Sequence, residues 1–98
     1  MAMRRRYLVC YDICDEKRLR QVFKIMQGFG ERLQYSVYAC DLSAEERVLL
    51  KAQLHEVIHH QEDRVMMVDL GEVGSARADA FEFMGAATPM EERRVVVV

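Results

Sequence analysis

The order of apolar and polar residues in the first third of the chain predicts a strand followed by a helix. Residues 5–13 are mostly aromatic, β-branched or small apolar, which is typical of a strand. Asp15 can cap a helix over residues 16–29, whose buried stripe would be Leu19, Val22, Phe23 and Met26. Gly28 and Gly30 are expected to end this helix, since glycine tolerates positive φ.

The middle of the chain predicts a strand, a bend and a second helix. Residues 32–42 have strand composition, and a bend near Tyr35 and Ser36 would divide them into two short strands. Ser43 and Glu46 have the spacing of a capping box, which predicts that the second helix begins here. The core face of this helix is expected to carry Leu50, Leu54, Val57 and Ile58.

The last third predicts three further strands. They are expected over residues 65–70, 79–84 and 93–98, with loops at 71–78 and 85–89. Two helices on one face of an antiparallel sheet make a single α+β domain over residues 1–98, a ferredoxin-like plait. The terminal valines would aggregate as a free edge, so they need a neighbouring strand, either in their own sheet or in a second subunit's sheet. We expect 93–98 to be a dimerisation strand.

Composition limits the classes of function. The 98 residues are 51% hydrophobic and carry a net charge of −2. Residues 1–34 hold eight basic and four acidic residues, so an arginine-rich phosphate-binding face and an ordinary solvated surface both remain possible interpretations. Three cysteines without a C-x-x-C pair favour reduced thiols in a cytoplasmic protein. No apolar run approaches the roughly 20 residues of a membrane span, and no signal peptide is expected.

The stretch HEVIHH, residues 55–60, has the H-E-x-x-H pattern of zinc peptidases. His55 and His59 would share one face of the second helix, opposite its core stripe, and could chelate a metal there. A peptidase also needs a third protein ligand and a substrate cleft, for which this short chain has little material. We therefore interpret the histidines as exposed helix residues, with adventitious zinc binding as the alternative.

Asp12 is the carboxylate most suited to chemistry, because it ends the first strand, where the scaffold fixes the backbone. A structural role as a helix cap is the competing interpretation. One carboxylate is a poor metal site, but a two-fold axis would bring two copies of Asp12 to a shared Mg²⁺. Such an ion could activate water and polarise a phosphodiester, while Arg18 and Arg32 neutralise phosphate charge.

Four motifs carry a family resemblance. The runs YDI at 11–13, KRL at 17–19, FG at 29–30 and QYSVY at 34–38 resemble the small CRISPR-associated adaptation protein and endoribonuclease family, the second Cas protein. Departures from its pattern are Cys14, Tyr38 in place of phenylalanine and Ala39 in place of an acidic residue. Ser36 and Tyr38 are interpreted as structural residues.

The resemblance implies a ferredoxin-like homodimer whose C-terminal strands extend the partner's sheet and whose Asp12 residues bind Mg²⁺ across the axis. It implies an endonuclease acting on RNA or double-stranded DNA, and a partnership with the CRISPR integrase, the first Cas protein, in spacer acquisition. The alternative is a non-catalytic DNA-binding scaffold subunit; a small metal-binding regulator is a third hypothesis. Nucleic-acid binding is assigned to five basic residues: Arg4, Arg5, Arg6, Lys17 and Arg20.

Overall fold

The protein folds as the predicted α+β arrangement. The computed structural model describes residues 3–74 and 80–86, together with the backbone of 96–97. Its elements are β1 Arg5–Asp12, α1 Glu16–Gln27, β2 Glu31–Gln34, β3 Val37–Leu42, α2 Ala44–Val57, β4 Arg64–Glu72, β5 Glu82–Phe83 and β6 Val96–Val97. The main sheet has the order β2-β3-β1-β4 with antiparallel neighbours. Among the described residues, neither helix has the length and apolar character needed to span a bilayer.

Alternation along the strands gives the sheet two different faces. Tyr7, Val9 and Tyr11 of β1 are buried in the main core, which includes Val22 and Met26 of α1 and Leu50 and Leu54 of α2. The intervening β1 residues therefore point to the opposite face, which we call the open face. Part of it is covered by Phe81 and Phe83, which pack in a second, smaller apolar cluster. The open face also receives alternate residues of β3 and β4, because their register with β1 pairs Leu8 with Ala39 and Val68.

The predicted helix starts are confirmed. The Asp15 carboxylate accepts a hydrogen bond from the backbone N–H of Arg18 at 3.0 Å, which caps α1. Ser43 and Glu46 form the expected reciprocal capping box at the start of α2. Helix α2 ends at Val57, and its C-cap residue Ile58 is already extended, with ψ of 155°. The chain therefore leaves the helix before His59.

The predicted end of α1 at Gly28 is confirmed, but positive φ is not the reason for glycine at position 28 or 30. Helix α1 ends at Gln27, and the cap Gly28 has φ of −79°, a value open to any residue. Gly30 does not have positive φ either. A Cβ at Gly30 would collide with the carbonyl oxygen of Ala39 and would lie 2.5 Å from the Cys40 sulfur. Glycine is needed at position 30 because β3 passes directly against it.

The C-terminal part of the fold agrees with the sequence only in outline. Strand β4 continues through Gly71 to Glu72, so the predicted loop begins two residues too early. The short strand β5 is present at Glu82–Phe83 and pairs in parallel with β6 of the same chain. The valine tail therefore has a neighbouring strand within its own chain, which is one of the two expected arrangements. Its extension of a second subunit's sheet stays a prediction. The other parts of these elements, residues 75–79, 87–95 and 98, lie outside the described residues.

The carboxylate of Asp63 joins the two connections that flank the sheet end near Asp12. Its side chain has no exposed surface. It accepts hydrogen bonds from the backbone N–H groups of Cys14 at 2.9 Å and His59 at 2.8 Å. It also accepts from Nε and Nη2 of Arg18, at 2.8 and 3.2 Å. The β1–α1 connection, helix α1 and the α2–β4 connection are therefore held together by one side chain.

These hydrogen bonds change the acidity of the group. The Arg18 guanidinium and the two backbone donors hold the pKa of Asp63 well below its ordinary value, against the opposing effect of desolvation. A carboxylate whose pKa is lower in the folded state stabilises the fold above its unfolded pKa, and this stabilisation is lost as the pH falls through the folded value.

We predict that Gly30→Ala destabilises the protein by about 1–3 kcal/mol, because the added methyl overpacks the contact with β3. Urea denaturation measures this as a lower midpoint at unchanged slope. Gly28→Ala is the matched control, because its Cβ would meet only the Ile25 carbonyl oxygen, at 3.4 Å, and its backbone is helical. Equal stability of the two variants would contradict the close-approach explanation.

We predict that Asp63→Asn lowers the free energy of unfolding by on the order of 3 kcal/mol at neutral pH, because Arg18 loses its buried anionic partner. The loss should shrink as the pH falls below about 4, where the wild-type carboxylate of the unfolded chain takes up a proton. Chemical denaturation across this pH range measures both effects. Asp69→Asn, which breaks the solvent-exposed pair with Arg5, is the control and should change stability little.

Candidate nucleic-acid and metal site

Asp12 ends β1 as an exposed residue. It follows the alternation of Leu8 and Cys10, so its side chain belongs to the open face of the sheet. Its cross-strand neighbour is Arg64, the first residue of β4. The neighbouring residue Tyr11 has the opposite orientation and is buried in the core on the helix side. The strand end therefore offers a carboxylate on one face and an aromatic ring on the other.

Within the described residues, no group of three or more His, Cys, Asp or Glu side chains could hold a metal ion. Asp12 therefore offers a single carboxylate per chain. Carboxylate oxygen is the ligand type that Mg²⁺ prefers, and Mg²⁺ often takes only one or two protein ligands beside water and phosphate oxygens. The donor chemistry of Asp12 fits such an ion if a second carboxylate or a substrate phosphate completes the coordination.

The structure does not bring Asp12, Arg18 and Arg32 together. In the described part of the chain, no hydrogen bond or ion pair joins any two of them. Arg18 donates instead to Asp63 and, at 3.2 Å, to Glu62. Its visible role is to anchor the connection that follows Asp12, and its predicted role toward phosphate stays a prediction.

Arg32 lies on the helix side of the sheet, held by two aromatic rings. Its guanidinium carbon is 5.5 Å from the centre of the Phe23 ring and 5.2 Å from that of Tyr35. Cation–π contacts of this kind fix the direction of a guanidinium without removing its charge. The register pairs Arg32 with Tyr38, whose fully buried ring packs against Phe23 and Tyr11, as expected of a structural residue. Burial raises the pKa of Tyr11 to about 12.

The three N-terminal arginines each have an acidic partner from beyond residue 34. The shortest distances are 2.9 Å for Arg4 to Glu46, 2.9 Å for Arg5 to Asp69 and 2.8 Å for Arg6 to Asp41. The excess of basic residues counted over 1–34 is therefore largely neutralised in the fold. These arginines also lie at the start of β1, about 23 Å from Asp12 at roughly 3.3 Å per residue.

Helix α1 carries the other predicted phosphate-binding residues. Lys17 and Arg20 are exposed, as is Lys24, and their spacing places all three on one side of the helix. No ion pair to these three side chains is found among the described residues. We call Lys17, Arg20 and Lys24 the α1 ridge.

The HEVIHH histidines do not form the predicted two-histidine face. His59 lies beyond the end of α2, and its Nδ1 accepts a hydrogen bond from the backbone N–H of Gln61 at 3.3 Å. The ring next to His55 is that of His60, with 4.3 Å between centroids. The alternative in which His55 and His59 chelate a metal from one helix face is therefore wrong, because α2 ends at Val57 and His59 is not part of the helix.

Sequence reasoning missed the residues that surround the site. The strand pattern gives no role to Asp63, although an aspartate just before a strand can accept from neighbouring backbone N–H groups. Phe23 and Tyr35 were assigned to a core stripe and a bend. Their contacts with Arg32 depend on the pairing of β2 with β3, which spacing along the chain does not reveal.

Comparison with known proteins identifies the fold and the family. The family model described as CRISPR associated protein Cas2 matches residues 3–77. A protein of Rhodospirillum rubrum named CRISPR-associated endoribonuclease Cas2 1 is 39% identical over 94% of this chain and 89% of its own length. A Geobacter sulfurreducens protein named CRISPR-associated endoribonuclease Cas2 is 34% identical, over 93% and 96%.

Solved structures agree. Cas2 of Streptococcus pyogenes, crystallised at pH 6.5, superimposes with a TM-score of 0.60 at 34% identity, covering 64% of this chain and 82% of that one. A Thermus thermophilus structure titled as the hypothetical protein TT1823 gives a TM-score of 0.66 at 27% identity, covering 67% and 80%. With the matched family model covering most of the chain and relatives similar along nearly their whole length, this chain belongs to the Cas2 family of CRISPR-associated proteins.

Proposed function

We propose that the chain is a homodimeric, Mg²⁺-dependent endonuclease that acts with the CRISPR integrase in spacer acquisition. The observation that carries the proposal is the position of Asp12, exposed at the end of β1 on the open face of the sheet. The similar proteins named endoribonucleases support the nuclease activity. RNA and double-stranded DNA both remain substrates of this proposal. Cys10, Cys14 and Cys40 are all free thiols, which supports a cytoplasmic location.

The open face supports the dimer. Met66 and Val68 are 56% and 36% exposed, beside the half-buried Leu8 and Cys10. A domain of this size is only marginally able to bury its own apolar surface, so a second copy stacked on this face would stabilise it. Because Asp12 lies on the same face, a two-fold axis through the stacked sheets can bring two carboxylates together. The proposed exchange of C-terminal strands would add backbone pairing between protomers.

The chemistry follows from the charges that the site would gather. Bound Mg²⁺ would supply Lewis-acid activation of the phosphodiester. The two Asp12 carboxylates would hold the ion with hard oxygen ligands. Arg18 and Arg32 are proposed to neutralise phosphate charge from the helix side. Arg18 would have to do so while it also holds Asp63, with the one-fifth of its side chain that is exposed.

A non-catalytic scaffold for duplex DNA is the second candidate function, and the α1 ridge favours it. The ridge presents three cations at helical spacing, none of them in an ion pair with a described residue, and such a row can follow a phosphate backbone without any metal. Arg4, Arg5 and Arg6 are proposed to add to this surface by exchanging their carboxylate partners for phosphates. Binding through the ridge does not require Asp12, because the helices and Asp12 lie on different sides of the sheet.

We predict that Asp12→Ala abolishes Mg²⁺-dependent cleavage, with a loss of at least about 100-fold, because the ion loses its protein ligands. Cleavage of labelled single-stranded RNA and duplex DNA by purified protein, with and without EDTA, measures this. Glu56→Ala, which removes an exposed carboxylate from α2, is the control and should cleave like wild type. Cleavage by Asp12→Ala at the wild-type rate would refute the shared metal site. If the protein is both a nuclease and a DNA-binding scaffold, Asp12→Ala should still bind nucleic acid but no longer cleave it.

We predict that Met66→Glu converts the dimer to a monomer, because it places a charge on the exposed apolar patch that the second copy would cover. Light scattering after size-exclusion chromatography measures the mass. Val48→Glu is matched, since Val48 is 63% exposed but lies on α2. A wild type that is monomeric at every concentration, or a Met66→Glu variant that stays dimeric, would mean that the open face is not the interface.

A further inference from the structure

A small cavity lies on the helix side of the sheet between α1 and the β2–β3 turn. Its volume is about 220 Å³, and its lining residues are Tyr11, Leu19, Arg20, Phe23, Arg32, Tyr35 and Ser36. The lining combines aromatic and aliphatic side chains with two arginines, and it contains no carboxylate. Pockets for drug-sized ligands begin at about 300 Å³, so this cavity suits a single flat ring system better than a larger molecule.

The cavity has one ring that faces solvent. Tyr35 is 77% exposed at the β2–β3 turn, which is unusual for a large aromatic side chain. The one ring contact found for it among the described residues is with the Arg32 guanidinium. The other side of Arg32 is covered by Phe23, so the guanidinium is held between two rings. This packing fixes Arg32, and Arg32 in turn gives the Tyr35 ring a defined direction. A rigid, exposed ring beside a fixed cation is a stacking platform for a nucleobase.

We propose that this cavity seats one unpaired nucleobase, stacked on Tyr35, while Arg32 and Arg20 bind the phosphate attached to it. The inference rests on the proposed binding of nucleic acid and adds a base-binding subsite to it. Arg20 belongs both to the cavity and to the α1 ridge, so a strand following the ridge would pass the cavity mouth. Tyr11 also lines the cavity and directly precedes Asp12, which places the subsite at the strand end that carries the proposed metal ligand.

The subsite distinguishes unpaired from paired strands. In a duplex each base is stacked on its neighbours, so its face cannot stack on Tyr35, while the phosphates stay accessible to the protein. The α1 ridge would bind the phosphates of either form, whereas the cavity can hold only a base that is free of the stack. Base stacking tolerates different sequences, because every base has an aromatic face. The cavity therefore should favour single strands without a strong sequence preference.

The test compares binding of three fluorescein-labelled ligands by full-length wild type and Tyr35→Ala in EDTA, where cleavage cannot occur. The ligands are a short single strand, the same backbone made entirely abasic, and a duplex of the same sequence. Fluorescence anisotropy gives each dissociation constant, and a salt series gives the phosphate contribution. RNA and DNA versions of the single strand are measured separately, since stacking on Tyr35 should serve both.

We expect Tyr35→Ala to weaken binding of the base-bearing strand about tenfold and to leave the abasic strand and the duplex unchanged. Tyr35→Phe is the matched control, because it keeps the ring and should bind like wild type. Both substitutions are at an exposed turn residue, so the fold should persist. A 2-aminopurine base in the strand should lose fluorescence on binding to wild type and retain it with Tyr35→Ala.

Two results would overturn the subsite. Wild type could bind abasic and base-bearing strands equally, or Tyr35→Ala could weaken all three ligands alike, which would indicate a change in Arg32 rather than lost stacking. In both cases salt-dependent binding would persist, and the proposed function would stand without the subsite. Absence of binding to all three ligands at low salt would refute nucleic-acid binding itself and the subsite with it.

Discussion

The arrangement of the site depends on the buried carboxylate of Asp63. It accepts four hydrogen bonds, two from backbone N–H groups in different connections and two from Arg18. A buried carboxylate is stable only when it is fully paired, so each donor is held in place by the cost of leaving Asp63 unsatisfied. Since Cys14 lies two residues after Asp12, this constraint fixes where β1 ends and α1 begins. The position of Asp12 is thus set by a residue that is distant in sequence but lies at the same end of the sheet, directly before β4.

The sheet separates two kinds of surface. On the helix side, the strand residues are buried in the core, and the exposed groups include the cations of α1 and the ring of Tyr35. On the open face, apolar side chains such as Met66 remain exposed beside Asp12. Alternation along β1 alone produces this division, because Tyr11 and Asp12 are adjacent in sequence and opposite in direction. A one-residue shift in the register of β1 would exchange the carboxylate and the tyrosine.

Local patterns predicted most of the fold, because their physics is local. Asp15 and the Ser43–Glu46 box act within one turn of helix, and the alternation of β1 needs no information from elsewhere. Gly30 shows where this fails: a positive φ is the usual explanation for glycine after a helix, but here the cause is the approach of β3. The same limit applies to His59, since nothing in H-E-x-x-H shows that the helix ends at Val57.

The charge count failed for a related reason. Summing charges over residues 1–34 treats that segment as a surface, but the fold places Glu46, Asp69 and Asp41 against its first three arginines. Three of the five candidate nucleic-acid residues are therefore already paired. The pairs of Arg5 and Arg6 depend on the register of β1 with its neighbours, and the pair of Arg4 depends on the position of α2.

Among the described residues, the cations without an ion pair include the three of the α1 ridge and Arg32 beside Tyr35, although the whole chain carries −2. Electrostatic attraction of a polyanion depends on the local arrangement of charge within about a Debye length, roughly 8 Å at physiological salt, and not on the total. A weakly acidic protein can therefore bind nucleic acid along one helix. The α1 ridge and Asp12 lie on opposite sides of the sheet. Binding along the ridge uses residues of one protomer, whereas the proposed metal site uses Asp12 from two. The two proposed activities are thus physically separable within one small domain.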